Sequence, residues 1–139
     1  WAGVSNFKKR FNESSEEFFE WQKKGVKYVQ NGRTKQLMPH FFQFYLDFKK
    51  NENKYNIKSA VSKLNIPYLI VHGDNDKAVD VNEAYDLASW NKKNKLHIVN
   101  GTGHTFGSKH PWESDKLPEE LRQVVYKTIE FISQNLNVK

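Results

Sequence analysis

A chain of 139 residues with 22 basic and 16 acidic side chains carries a formal net charge of +6, and it is long enough for one compact domain with its own core. The basic residues fall in ones and twos (Lys8-Lys9-Arg10, Lys23-Lys24, Lys49-Lys50, Lys92-Lys93), mostly with Glu or Asn nearby. That is the pattern of solvated faces, so no nucleic-acid partner is expected. The absence of cysteine excludes disulfides, thiolate metal sites and cysteine nucleophiles, and no apolar run approaches the ~20 residues of a membrane span. A soluble chain is expected, with no compartment specified.

Trp1 to Phe7 reads as a strand end running into a basic stretch, with no initiator Met and no leader, so the natural N-terminus is expected elsewhere. Ser14-Ser15-Glu16-Glu17 has the form of a capping box ahead of Phe18, Phe19 and Trp21, which predicts a short helix ended by Gly25. Val26 to Gln30 followed by Asn31-Gly32 predicts a hairpin with a type I′ turn that continues to about Leu37. From Pro39 the period changes. Phe41, Phe44, Tyr45 and Phe48 fall on one face of a helix starting near that proline, and Ile57, Val61 and Leu64 make a second, shorter face.

Ile66 to His72 is a continuous apolar run bounded by turn residues, the pattern of a strand covered on both faces in a parallel sheet. Val81, Tyr85 and Ala88 recur at helical spacing, and Lys95 to Val99 gives another short strand. Leu121, Val125, Ile129, Ile132 and Leu136 line a closing helix that opens with Pro118, Glu119 and Glu120. The alternation of strand and helix predicts βαβ crossovers and a parallel sheet.

Two segments carry chemistry. His72-Gly73-Asp74-Asn75-Asp76 follows the first buried strand, and Gly101-Thr102-Gly103-His104-Thr105-Phe106 follows the second. Each places a catalytic-type side chain just past a strand end, where a sheet delivers groups to a cleft. A carboxylate that holds one imidazole nitrogen leaves the other free to take a proton from a serine hydroxyl and later return it. The glycines flanking His104 suit a sharp loop. Taken singly, Asp76 reads as a turn aspartate and His104 as a loop histidine; taken together in this order they read as acid and base, with Asp74 as the rival acid.

The stretch from Ile66 onward resembles the C-terminal part of an α/β hydrolase, near the dienelactone-hydrolase and prolyl-oligopeptidase-like members. The resemblance rests on His72-Gly73-x-x-Asp76-x-x-Val79 and on Gly101-x-Gly103-His104-Thr105-Phe106. It implies Asp76 as the triad acid and His104 as the base, after strands seven and eight of that fold. It also implies an α/β architecture with a mostly parallel sheet flanked by helices. Residues 1–11 then stand for strand six, 12–64 for a helical and hairpin cap insertion, and 65–139 for the part bearing acid and base.

The nucleophile of such a machine sits on a Gly-x-Ser-x-Gly elbow. Gly3-Val4-Ser5-Asn6-Phe7 is a near miss, ending in a bulky Phe and followed by a basic loop, so the serine is expected upstream of Trp1. Asp74, Asp76 and Asp80 resemble the start of a calcium loop, but Val79 and Tyr85 stand where glycine and glutamate belong. His97, His104 and His110 lack zinc spacing. No metal and no cofactor are expected. The aromatics Phe18, Phe19, Trp21, Phe41, Phe42, Phe44, Tyr45 and Phe48 either seal the cap or, for a few, line an apolar pocket over His104, which Trp112 could edge.

The expected activity is hydrolysis of an ester, thioester or peptide bond in the full-length protein, with this chain alone inactive. The expected partners are the other half of the fold or a second copy. The rival reading is a non-catalytic interaction module derived from half of a hydrolase.

Overall fold

The computed structural model describes residues 1–32 and 34–136, and it divides into two compact units, residues 1–6 with 57–139 and residues 7–56. The architecture is α/β, with one antiparallel and one parallel pair of strands. Of the mostly parallel sheet expected, the described residues contain a single parallel pair. Among them no helix is long and apolar enough to cross a membrane.

The smaller unit begins with a 3₁₀ turn at Phe7–Arg10, followed by α1 (Glu16–Lys24). Ser15, one residue later than a Ser14 capping box requires, caps α1 by accepting the Phe18 N–H at 3.2 Å, while the Ser14 hydroxyl donates to Asn12. Gly25 ends the helix at φ 72°, a left-handed turn that disfavours any Cβ, and its N–H bonds to Trp21 O at 2.9 Å.

β1 (Val26–Gln30) and β2 (Leu37–Phe41) form the expected hairpin, but it is longer than expected and its turn differs. The loop spans residues 31–36, closed by Asn31 N–H on Gln36 O, and its positive φ falls on Lys35 instead of the Asn31-Gly32 pair; Arg33 lies outside the described residues. Pro39 sits inside β2 opposite Tyr28, so the next helix, α2 (Gln43–Lys50), starts four residues later than Pro39 suggests. Pro39 belongs to a two-stranded ribbon, where every strand is an edge and the missing N–H is tolerated.

Phe18, Trp21, Phe42 and Tyr45 form a buried cluster with Phe11 against it, and Trp21 Nε1 donates to His40 O at 2.7 Å. Edge-to-face contacts dominate, such as Phe18 on Tyr45 at 4.8 Å between centroids. Phe41, Phe44 and Phe19 stay more than half exposed.

The larger unit contains α3 (Ile57–Ser62), β3 (Tyr68–Gly73), α4 (Val81–Ser89), β4 (Asn94–Val99) and α5 (Glu119–Asn135). β3 and β4 run parallel, from Tyr68 opposite Asn94 to Gly73 opposite Val99, with α4 as the crossover between them. Alternation sends Ile70 to one face, with Val61, Ala84 and Leu87, and Val71 to the other, with Val99, Phe106 and Val124. Both faces are covered, which explains the unbroken apolar run of β3.

The α4 stripe sits one residue from the predicted register, burying Ala84 and Leu87 and leaving Tyr85 48% exposed. α5 packs Leu121 against the core as predicted and buries Val124, while Ile129 and Ile132, and Leu136 just past its end, stay exposed. Residues 1–6 form no regular strand where a strand end was expected. The Ala2 N–H nevertheless donates to Val71 O at 2.8 Å, on the flank of β3.

Candidate active site

The loops after β3 and β4 are stitched to each other before any side chain is considered. Asp74 N–H donates to Val99 O, Asn75 N–H to Thr102 O at 3.0 Å, and Gly101 N–H to the Asp74 carboxylate at 2.7 Å. Gly73 permits this approach, because a Cβ there would stand 2.3 Å from Thr102 O. Gly101 takes φ 73°. Gly103, by contrast, has room for a Cβ, so only one of the two glycines before His104 meets a backbone demand.

On this platform the structure brings Asp76 and His104 together. His104 Nδ1 lies 2.8 Å from Asp76 Oδ2. The other carboxylate oxygen, Oδ1, accepts the backbone N–H groups of Ala78 at 2.8 Å and Val79 at 2.9 Å. Asp76 is therefore both a turn aspartate and the partner of a histidine, one oxygen for each. Since a carboxylate only accepts, His104 Nδ1 carries the proton, and Nε2 is left with its lone pair and no partner among the described residues.

The Asp76 side chain is fully buried, while that of His104 is 45% exposed. Burial pushes the Asp76 carboxyl up, but the Val79 N–H, the His104 ring and the Ala78 N–H together outweigh it, so the group ionises below the usual carboxylate range. An ionised acid beneath a half-exposed imidazole can hold one tautomer and steady the imidazolium that forms when Nε2 takes a proton.

The other candidates have different work. Asp74 accepts from Gly101 and makes no bond to His104, and Asp80 caps α4 by accepting the Asn82 N–H at 2.8 Å. Ser5 is buried, its N–H donating to Glu83 at 2.6 Å and its hydroxyl to Asp86 at 3.2 Å. Among the described residues no serine hydroxyl is bonded to His104. His97 lies on β4, where burial, with Lys127 nearby, lowers its pKa.

One residue of the motif has a place in the site to which the sequence assigns no role. His72, fully buried at the end of β3, places Nε2 2.8 Å from Val79 O and 3.3 Å from Asp76 Oδ2. The only signal was a polar residue ending an otherwise apolar run.

No family model matches the chain. It is similar to monoacylglycerol lipase ABHD6 of Mus musculus, at 22% identity over 94 residues, which cover 66% of this chain and 28% of that protein. The likeness links the chain broadly to the α/β hydrolases. The matched stretch is thus a little over a quarter of that relative's length.

Proposed function

We propose that the chain is the acid-and-base part of a serine hydrolase that cleaves an ester, thioester or peptide bond, nearest in kind to dienelactone hydrolases and prolyl-oligopeptidase-like enzymes. The observation that carries the reading is the 2.8 Å contact between His104 Nδ1 and the buried Asp76 carboxylate, on adjoining strand ends. His104 Nε2 would take the proton of a serine hydroxyl as its oxygen bonds to the acyl carbon, then give that proton to the leaving group as the old bond breaks. Water repeats the cycle to release the acid. Asp76 would orient the ring and remain ionised. The relative's name, a monoacylglycerol lipase, favours an ester among the three bond types.

The serine would belong to sequence preceding Trp1, and the 139-residue chain alone is expected to lack activity. Assay with an activated ester tests this: serine-dependent turnover by this chain, abolished by His104→Ala, would overturn it.

A second reading, an interaction module derived from a hydrolase half-domain, rests on the absence, among the described residues, of a serine hydroxyl bonded to His104. The coding sequence upstream of Trp1 separates the two. An in-frame Gly-x-Ser-x-Gly run supports the enzyme, and a transcript that lacks one supports the module.

A further inference from the structure

We propose that His72 is a positioning residue for the Asp76–His104 pair: it locks the turn that carries the carboxylate and fixes which carboxylate oxygen faces His104. The argument starts from a donor and an acceptor. A carbonyl oxygen can only accept, so at 2.8 Å from Val79 O the His72 Nε2 must carry a hydrogen. Nδ1 is buried and has no hydrogen-bond partner. A buried histidine that leaves one nitrogen unpaired while the other meets the site is not there for its own satisfaction.

Val79 is held from both sides of its peptide. Its N–H donates to Asp76 Oδ1 at 2.9 Å, and its carbonyl accepts from His72. The turn from Asp76 to Val79 is thereby tied to β3, an element covered on both faces. That tie joins the bonds that the Asp76 side chain makes to the Ala78 and Val79 N–H groups. The His72 Nε2–H also stands 3.3 Å from Asp76 Oδ2, the oxygen that receives His104. That distance leaves the shorter 2.8 Å bond from His104 to the same oxygen in place. The carboxylate is thus held at Oδ1 by backbone N–H groups, one of them on the residue that His72 ties down, and at Oδ2 by His104, and rotation about its χ2 angle would break both.

The inference rests on the hydrolase reading only for its catalytic meaning, because the hydrogen bonds can be tested without turnover. The experiment compares the 139-residue chain with His72→Gln, whose amide N–H can reach the position of Nε2, and His72→Leu, which cannot donate. Nitrogen-15 NMR reads the His104 tautomer in each. The expected result is a His104 held as Nδ1–H in the parent and in His72→Gln, with the tautomer ratio falling roughly tenfold in His72→Leu, the scale of one lost hydrogen bond. A folded His72→Leu with the parent's ratio would overturn the inference, since a residue needed only for packing would leave the tautomer unmoved.

If neither variant folds, the parent decides. A His72 with its proton on Nε2 supports the inference, and any form lacking that proton contradicts it. Failure here leaves the hydrolase reading standing, whereas failure to find a serine removes the catalytic meaning and leaves the positioning intact.

Discussion

The buried carboxylate of Asp76 shows how one residue can satisfy two demands, and the division between its oxygens predicts what each substitution does. Asp76→Ala leaves the buried Val79 N–H without its acceptor and should cost about 1–3 kcal/mol, read by thermal unfolding. Asp76→Asn keeps an acceptor for the turn, so most of that stability should survive while His104 loses its preference for Nδ1–H. Equal destabilisation by the two substitutions would contradict the division. The pH dependence has a definite sign. Asp76 ionises below its ordinary value in the folded chain, so its contribution to stability is full above the unfolded carboxylate pKa of about 3.9 and is lost as pH falls through the lower folded value. Asp76→Ala should therefore flatten the acid limb of the stability curve, and an unchanged limb would refute the assignment.

Elements were legible in the sequence where the pattern was long and local, and misread where a neighbour decided. The β3 run, the Gly25 stop and the alternation leading to β4 all follow from residue type alone. Pro39 was read as a helix start because proline suits that position, yet pairing of β2 with β1 put it in a strand. The one-residue offset of the α4 stripe has a similar cause. Small Ala84 lets α4 approach the sheet and Tyr85 turns outward, a choice periodicity cannot make where Ala, Leu and Tyr are all apolar. At the site, Asp76 and His104 were legible because their loops end predicted strands; the contact of His72, though the residue stands in the motif, was not, because its partner is a backbone carbonyl seven residues away.

Two predictions belong to this scale. Gly73→Ala puts a Cβ against the backbone of Thr102 and should cost roughly 1–3 kcal/mol while parting the two loops, seen as a lower unfolding temperature and a weakened His104 tautomer preference. Parent-like values for both would show that the loops yield freely. Glu83, buried on α4, accepts the N–H groups of Ser5 and Asn6 at 2.6 and 3.2 Å. Glu83→Leu should release the first residues, so the amide hydrogen of Ala2, bonded to Val71 O, should exchange much faster than in the parent. Unchanged protection of that amide would mean that the Glu83 bonds are not what holds the segment.

At the scale of the larger unit, a two-stranded parallel sheet with both faces covered carries the Asp76–His104 pair at its strand ends, and among the described residues no serine hydroxyl is bonded to that histidine. The match to a relative of which the chain covers 28% is consistent with a site completed by further sequence. Ile129 and Ile132 on α5, and Leu136 just past its end, remain exposed. The measurement that bears most directly on the central claim is labelling of the protein, isolated whole from its source cells, with a fluorophosphonate that reacts with activated serines. The account predicts one labelled serine on a peptide outside residues 1–139, with labelling lost in a His104→Ala variant of the same full-length protein. No labelled serine, or labelling indifferent to His104, would contradict it.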